Sequence, residues 1–316
     1  MPISSSDPVS RRAVVLSACA ASFAAGRAAA EPYRLGCLAS LYGSLPLAAA
    51  LERIRKLGFR YTVPSKVHAG ENVYTTDLPA ARRAEVRRQF ADHGVEPFMA
   101  FGGFSDIHLP GKLDAGRAEL DLCAGFGVPI IVAWGPWYYQ RFPNLPRAAR
   151  DWEKEVAAYY PVLEKLVRHA ESAGVTIAMK PHTGITANAR ACLAVLRRIP
   201  SERLKICWDA GNVSFYEGIH PDPDLPELSP QVKAVCLKDH LGLRGDANFP
   251  APGQGQINHE EMFRTLFGAG FAGPLAIERV DGRDTKSKLT PEVTDERLAA
   301  AYRHLAPILD RVTARL

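Results

Sequence analysis

Four apolar segments in the second half of the chain each end in side chains that carry charge or exchange protons. One runs into Lys180-Pro181-His182 and the next into Asp209-Ala210-Gly211-Asn212. The third runs into Lys238-Asp239-His240 and the fourth into Glu278-Arg279. These types in combination suit proton transfer, with carboxylates and imidazoles as acids and bases and ammoniums as fixed positive charge beside a developing anion. A lysine without an anionic partner would instead be neutral and nucleophilic. For any one of these residues a structural ion pair is as good an explanation as catalysis. Four in succession point to one shared mouth. The candidate catalytic groups are then Lys180, Lys238, His240 and Glu278, and the candidate substrate contacts include His182 and Asn212.

A shared mouth needs elements to build it. Amphipathic stretches repeatedly end in glycine and run into apolar ones, at Gly58-Phe59, Gly94-Val95, Gly127-Val128, Gly174-Val175 and Gly270-Phe271. Glycine just past a helix is the expected left-handed stop. Eight strands are expected, at 33–39, 59–63, 97–101, 129–134, 175–180, 204–209, 232–238 and 274–278. Most lack apolar/polar alternation, as strands covered on both faces do. Helical period places Leu47, Leu51 and Ile54 on one face, and Val156, Tyr160, Leu163, Val167 and Ala170 on another. Eight βα repeats predict a single-domain (β/α)₈ barrel, whose reactive groups gather at the C-terminal ends of the strands. A doubly wound open sheet is the alternative, but no G-x-G-x-x-G follows the first strand. Regions 135–147 and 218–256, rich in proline and glycine, read as long loops over the mouth.

Five motifs occur in order over the last third of the barrel. They are Lys180-Pro181-His182, Trp208-Asp209-Ala210-Gly211-Asn212, Leu237-Lys238-Asp239-His240, Gly253-Gln254-Gly255-Gln256-Ile257, and Gly270-Phe271-Ala272-Gly273-Pro274 leading to Glu278. In this the chain resembles the xylose-isomerase-like barrel family of sugar isomerases and epimerases. The resemblance implies a divalent metal (Mn, Mg or Zn) held by a Glu, an Asp, a His and a Glu on the fifth to eighth strands. Asp209 and Glu278 match by position. Lys180 stands where the fifth-strand Glu is expected, Cys236 where the His is expected, and Asn212 replaces a His three residues after the Asp. A protonated lysine repels a cation and cannot ligate it. Two readings follow. Either Asp209, Glu278 and His240 still hold a metal, or the Lys180 ammonium takes its place and polarises a sugar carbonyl while Glu278 or His240 moves the proton. The 253–257 stretch reads as a tight turn feeding the seventh helix of the barrel.

Aromatic residues near the same mouth fit a sugar ring. Trp134, Trp137, Tyr138 and Tyr139 follow the fourth strand, and Phe101 and Phe104 lie near the end of the third. Trp134, Trp137 and Phe101 are taken as substrate contacts. Lys66, His68, Asp106 and His108 are weaker candidates, and His93, His169 and His304 fall in helical segments.

The N-terminus carries a separate message. Ser10-Arg11-Arg12-Ala13-Val14-Val15-Leu16 resembles a twin-arginine export motif, an alanine-rich stretch follows, and Ala28-Ala29-Ala30 offers a cleavage site. Residues 1–30 are read as a removed signal and 31–316 as the barrel, giving a periplasmic or secreted protein that meets the export machinery and keeps no membrane span. Net charge is +5, and Arg11, Arg12, Arg27 and Asp7 fall within the signal, so the remainder carries +3. No basic run serves nucleic acid, which excludes the endonuclease branch of this fold. Apart from Cys19, five cysteines remain, without CxxC spacing, and read as buried free thiols. The expected function is sugar isomerisation or epimerisation by proton transfer next to a carbonyl. A keto-glycoside lyase, a Schiff-base aldolase using Lys180, and a non-catalytic periplasmic sugar-binding protein are the rivals.

Overall fold

In the computed structural model, which describes residues 33–284 and 289–315, the chain from Tyr33 onward forms one compact unit. The Arg11-Arg12 pair and the cleavage site at 28–30 lie outside the described residues. The barrel strands are β1 (Arg34–Leu38), β2 (Tyr61–Val63), β3 in two pieces (Glu96–Pro97 and Ala100–Phe101), β4 (Ile130–Ala133), β5 (Thr176–Met179), β6 (Leu204–Trp208), β7 (Val232–Leu237) and β8 (Pro274–Ile277). All pair in parallel, and β8 lies against β1, so the sheet wraps round. The first piece of β3 pairs with β2 and the second with β4. Nine ladder segments are therefore eight strands with the third interrupted, which is the expected (β/α)₈ barrel. The interruption falls at Phe98 and Met99, both fully buried, directly after Pro97, which has no N–H for the ladder.

The outer layer is α1 (Leu47–Lys56), α2 (Ala80–Asp92), α3 (Lys112–Phe126), α4 (Ala149–Ala173), α5 (Ala189–Arg198), α6 (Ala210–Glu217), α7 (Leu225–Leu228), α8 (His259–Gly268) and α9 (Pro291–Thr313). Leu47, Leu51 and Ile54 bury one face of α1, and Tyr160, Leu163, Val167 and Ala170 one face of α4. Gly127 and Gly174 close α3 and α4 with φ of 72° and 71°, the left-handed stops read from the sequence. The 135–147 region is not a bare loop, since Tyr139–Arg141 and Leu145–Pro146 pair as a small antiparallel hairpin. The 218–256 region contains α7 and all of β7, so only its last part crosses the mouth as loop.

Two apolar layers hold the barrel. Side chains facing outward, among them Ile177, Met179, Ile206, Trp208, Val235, Leu237 and Ile277, pack under the helices. Inward ones, among them Val132, Ala178, Cys207, Ala234, Cys236 and Ala276, fill the lumen. Small residues dominate the inward set on β5 to β8, which leaves room for long side chains one layer higher. Cys37, Cys123, Cys192, Cys207 and Cys236 are all free and buried.

Candidate active site

Strand parity builds the site. Successive side chains point to opposite faces, so residues two apart share one. Ala178, Cys207, Cys236 and Ala276 face the lumen. Two residues further along lie Lys180, Asp209, Lys238 and Glu278, which form the next layer up. Lys180 Nζ lies 2.8 and 3.0 Å from the two oxygens of Glu278, and 3.4 Å from Asp209 Oδ2. Lys238 Nζ lies 3.1 Å from Asp209 Oδ2 and 3.0 Å from Glu278 Oε1. Two ammoniums thus bridge two carboxylates in a square of alternating sign. Asp209 is fully enclosed, and the Glu278 side chain keeps 10% exposure. Asp209 Oδ2 faces both ammoniums without the alignment of a hydrogen bond to either.

Each member is oriented by its surroundings. Asp209 caps α6, its Oδ1 accepting from Asn212 N at 2.9 Å. Asn212 engages both ends of its amide: Oδ1 accepts from Lys238 Nζ at 3.0 Å, and Nδ2 donates to Pro181 O at 2.7 Å. It is part of the frame that aims Lys238, not a free substrate contact as expected. Gly211 packs on the stem of Lys238, where an added Cβ would come within 2.3 Å of its Cγ. Burial alone would lower the Lys180 pKa, but the charges of Glu278 and Asp209 outweigh it and hold the group well above the ordinary lysine range. Its Nζ also lies 5.1 Å from the Phe101 ring centre and 5.9 Å from that of Trp134.

An aromatic wall stands beside the cluster. His182 stacks on Trp134 with ring centres 5.4 Å apart and meets Trp137 edge-on at 5.2 Å. Trp137 also contacts Tyr139, Phe142 and Tyr216. Tyr216, on α6, was not singled out in the sequence, because nothing in the spacing of a short helix signals that its phenol meets a residue of another strand end. Its OH is 3.0 Å from His182 Nε2.

His240 does not join the cluster. Its Nδ1 pairs with Ser214 Oγ at 2.9 Å and its Nε2 with Asp246 O at 2.8 Å. With both ring nitrogens committed in a buried setting, it has no lone pair for a metal and no free site for the substrate's proton. The expected catalytic and ligand roles of His240 gain no support from this placement. Lys238, directly after β7, still follows strand parity, but three residues past the strand end, at His240, the chain has left the ladder and parity no longer holds. Asp239, the residue between, is the anchor of the mouth loop: its carboxylate accepts from the N–H groups of His240, Gly253, Gly255 and Ile257 at 2.9–3.0 Å. The 253–257 turn is therefore an anion-wrapping turn ahead of α8. Among the weaker candidates, Lys66 pairs with Glu119 at 2.6 Å, Asp106 with Lys112 at 3.1 Å, and His68 is buried against Leu45 O.

The donor atoms of Asp209, Cys236 and Glu278 lie within 4.8 Å of one another, the only such group of potential metal-ligating residues among those described. They do not fit the divalent metal of the family pattern. Two ammoniums, neither able to ligate, lie about 3 Å from the same carboxylate oxygens, and Lys180 engages both oxygens of Glu278. Burial keeps the Cys236 thiol far above the ordinary thiol range, so the soft ligand is protonated as well.

A parallel barrel with its ionisable groups layered at the strand ends defines a TIM-barrel protein with an enzyme-like mouth. Residues 51–308 match the model of the xylose isomerase-like TIM barrel family, and the chain belongs to that family. Comparison with curated proteins gave no match. Solved structures share the fold at low identity. A xylose isomerase-like TIM barrel protein from Mycobacterium smegmatis in complex with magnesium is 15% identical, with a TM-score of 0.65, covering 89% of this chain and 98% of its own. The 3-keto-D-glucoside 4-epimerase of E. coli is 16% identical, with a TM-score of 0.65 over 86% and 99%. The D-psicose 3-epimerase of Clostridium cellulolyticum H10, solved with D-tagatose, is 13% identical, with a TM-score of 0.66 over 87% and 99%. Among the described residues no helix is long and apolar enough to cross a membrane.

Proposed function

We propose that the protein is a sugar isomerase or epimerase that moves a proton next to a carbonyl, with two lysine ammoniums in the role a bound cation has in related enzymes. The observation that carries this is the bridging of Asp209 and Glu278 by both Lys180 and Lys238. The sugar epimerases among proteins of the same fold support the substrate class. Glu278, the carboxylate with an exposed edge, takes the proton from the carbon beside the carbonyl. The electron pair of that C–H bond becomes the enediolate, and its oxygen gains negative charge beside the ammoniums. Return of that proton by Glu278 to the neighbouring carbon, with the hydroxyl proton passing between the two enediolate oxygens, isomerises the sugar. Delivery of a solvent proton to the opposite face of the original carbon, with Glu278 keeping the first proton, epimerises it. The aromatic wall of Trp134 and Trp137 packs on the apolar face of the ring.

A Schiff-base aldolase is disfavoured, because a lysine kept protonated by two carboxylates is not a nucleophile. The test is turnover of a panel of ketoses, aldoses and 3-keto-glycosides by chelator-treated protein. Activity is expected to survive the chelator, Lys180→Ala is expected to lose about 100-fold, and borohydride is expected to trap no adduct. Full activity of Lys180→Ala, or loss of wild-type activity on chelation, would overturn the reading. Elimination instead of isomerisation on the 3-keto-glycosides would assign the same first step to a lyase. Export through the twin-arginine route to the periplasm is proposed on the strength of Arg11-Arg12 and Ala28-Ala29-Ala30.

A further inference from the structure

Tyr216 and His182 form a hydrogen-bonded pair at the edge of the lysine–carboxylate cluster. Among the described residues the Tyr216 hydroxyl has one partner, His182 Nε2, at 3.0 Å. Burial, foremost, keeps the phenol protonated far beyond neutral pH. The phenol hydrogen has no other acceptor in reach among the described residues, so the pairing that satisfies it is donation to Nε2. Nε2 then offers its lone pair, and the ring proton sits on Nδ1. That Nδ1 is buried and has no partner among the described residues. An unpaired buried N–H is costly, and such groups persist where a ligand or ordered water supplies the acceptor.

The setting indicates which ligand. His182 lies two residues beyond Lys180 and stacks on Trp134, whose ring is 5.9 Å from the Lys180 ammonium. Burial first, and then the charges of Lys180 and Lys238, push its pKa down to about 3, while Glu278 acts in the opposite sense. It is thus an uncharged imidazole beside two cations, able to donate a hydrogen bond without adding to their repulsion. We infer that Tyr216 is a positioning residue that locks His182 with its proton on Nδ1, and that this N–H donates to a hydroxyl or carbonyl oxygen of the sugar bound over the cluster. The identity of the ligand rests on the isomerase reading above, and the lock does not. The donor would fix which way round the sugar lies against Trp134, so that the carbon presented to Glu278 is always the same one.

The experiment combines ¹⁵N NMR of the His182 ring with kinetics on the full chain. Wild type is expected to show the single Nδ1–H tautomer between about pH 5 and 8. Tyr216→Phe is expected to show a mixture of tautomers and to lower kcat/KM roughly 10-fold on the sugar that wild type turns over fastest. His182→Asn, which keeps an N–H donor, is expected to retain more activity than His182→Ala. A wild-type proton on Nε2 would overturn the inference, and so would a Tyr216→Phe variant with an unchanged tautomer or unchanged kcat/KM. If no sugar in the panel is turned over, the isomerase reading falls. The lock is then judged by the tautomer alone, supported by Nδ1–H that is lost in Tyr216→Phe and refuted by anything else.

Discussion

Lys180 and Lys238 together carry the charge of one divalent cation, and Asp209 and Glu278 cancel it. Removing one partner from such a buried set leaves uncompensated charge, whereas the full set is self-consistent. Metal binding should therefore return only if both ammoniums leave. Lys180→Glu combined with Lys238→Met is expected to bind Mn²⁺ measurably by calorimetry, while wild type does not. Tight Mn²⁺ binding by wild type would refute the view that the ammoniums fill the site. Two imidazoles with depressed pKa values give a second prediction. The pKa of His182 is pushed to about 3 and that of His259 to about 4, in both by burial first. In the unfolded chain they titrate near ~6.5. Their folded values are depressed, so the stability they confer is complete above the unfolded value and is lost as pH falls towards the folded one. The urea midpoint is expected to fall between about pH 6.5 and 4, and less steeply in His259→Leu. An equal slope in that variant would exclude His259 as a source.

The loop from 240 to 257 shows how one side chain can shape an element. Asp239 gathers four backbone N–H groups, and Gly255 comes so close that an added Cβ would lie 2.2 Å from Asp239 Oδ1. The far side of the loop is clasped by Arg283, bidentate to Asp246 at 2.7 and 2.9 Å, and by the backbone bridge between Phe249 and Gly282. Asp239→Asn keeps the shape but halves the accepting oxygens and removes their charge. A cost on the order of 2–4 kcal/mol is expected. Limited proteolysis should then cut within 241–256 in the variant before it cuts wild type, and matching cleavage rates would remove Asp239 as the anchor. Gly255→Ala is expected to do the same by steric displacement. The neighbouring α6 obeys a similar constraint, since Gly211 must stay bare for Lys238 to reach Asp209.

For the whole molecule, the export signal proposed from Arg11-Arg12 and Ala28-Ala29-Ala30 predicts a mature protein that begins at Glu31, checked by mass spectrometry of the native product. An intact Met1 would sink that expectation. Much of the rest was legible in the sequence. Glycine stops recur at five helix ends and apolar runs of strand length recur eight times, and local chain physics is enough to make each unit, so the barrel and its strand ends could be read from the sequence. Lys180, Asp209, Lys238 and Glu278 could be named for the same reason, because a strand end is a local feature. What the sequence could not reveal was who meets whom. Lys238 as the equal of Lys180, Asn212 as its guide, and Tyr216 against His182 are contacts between segments 26 to 98 residues apart. Residue type and position put His240 among the site residues, and only the fold shows that its ring nitrogens meet Ser214 Oγ and Asp246 O. Residue type and period fix the elements, which are set within a few turns of chain. The charge pattern of the mouth is decided only when closure of the barrel brings β5, β6, β7 and β8 side by side and burial forces every charge to find its partner.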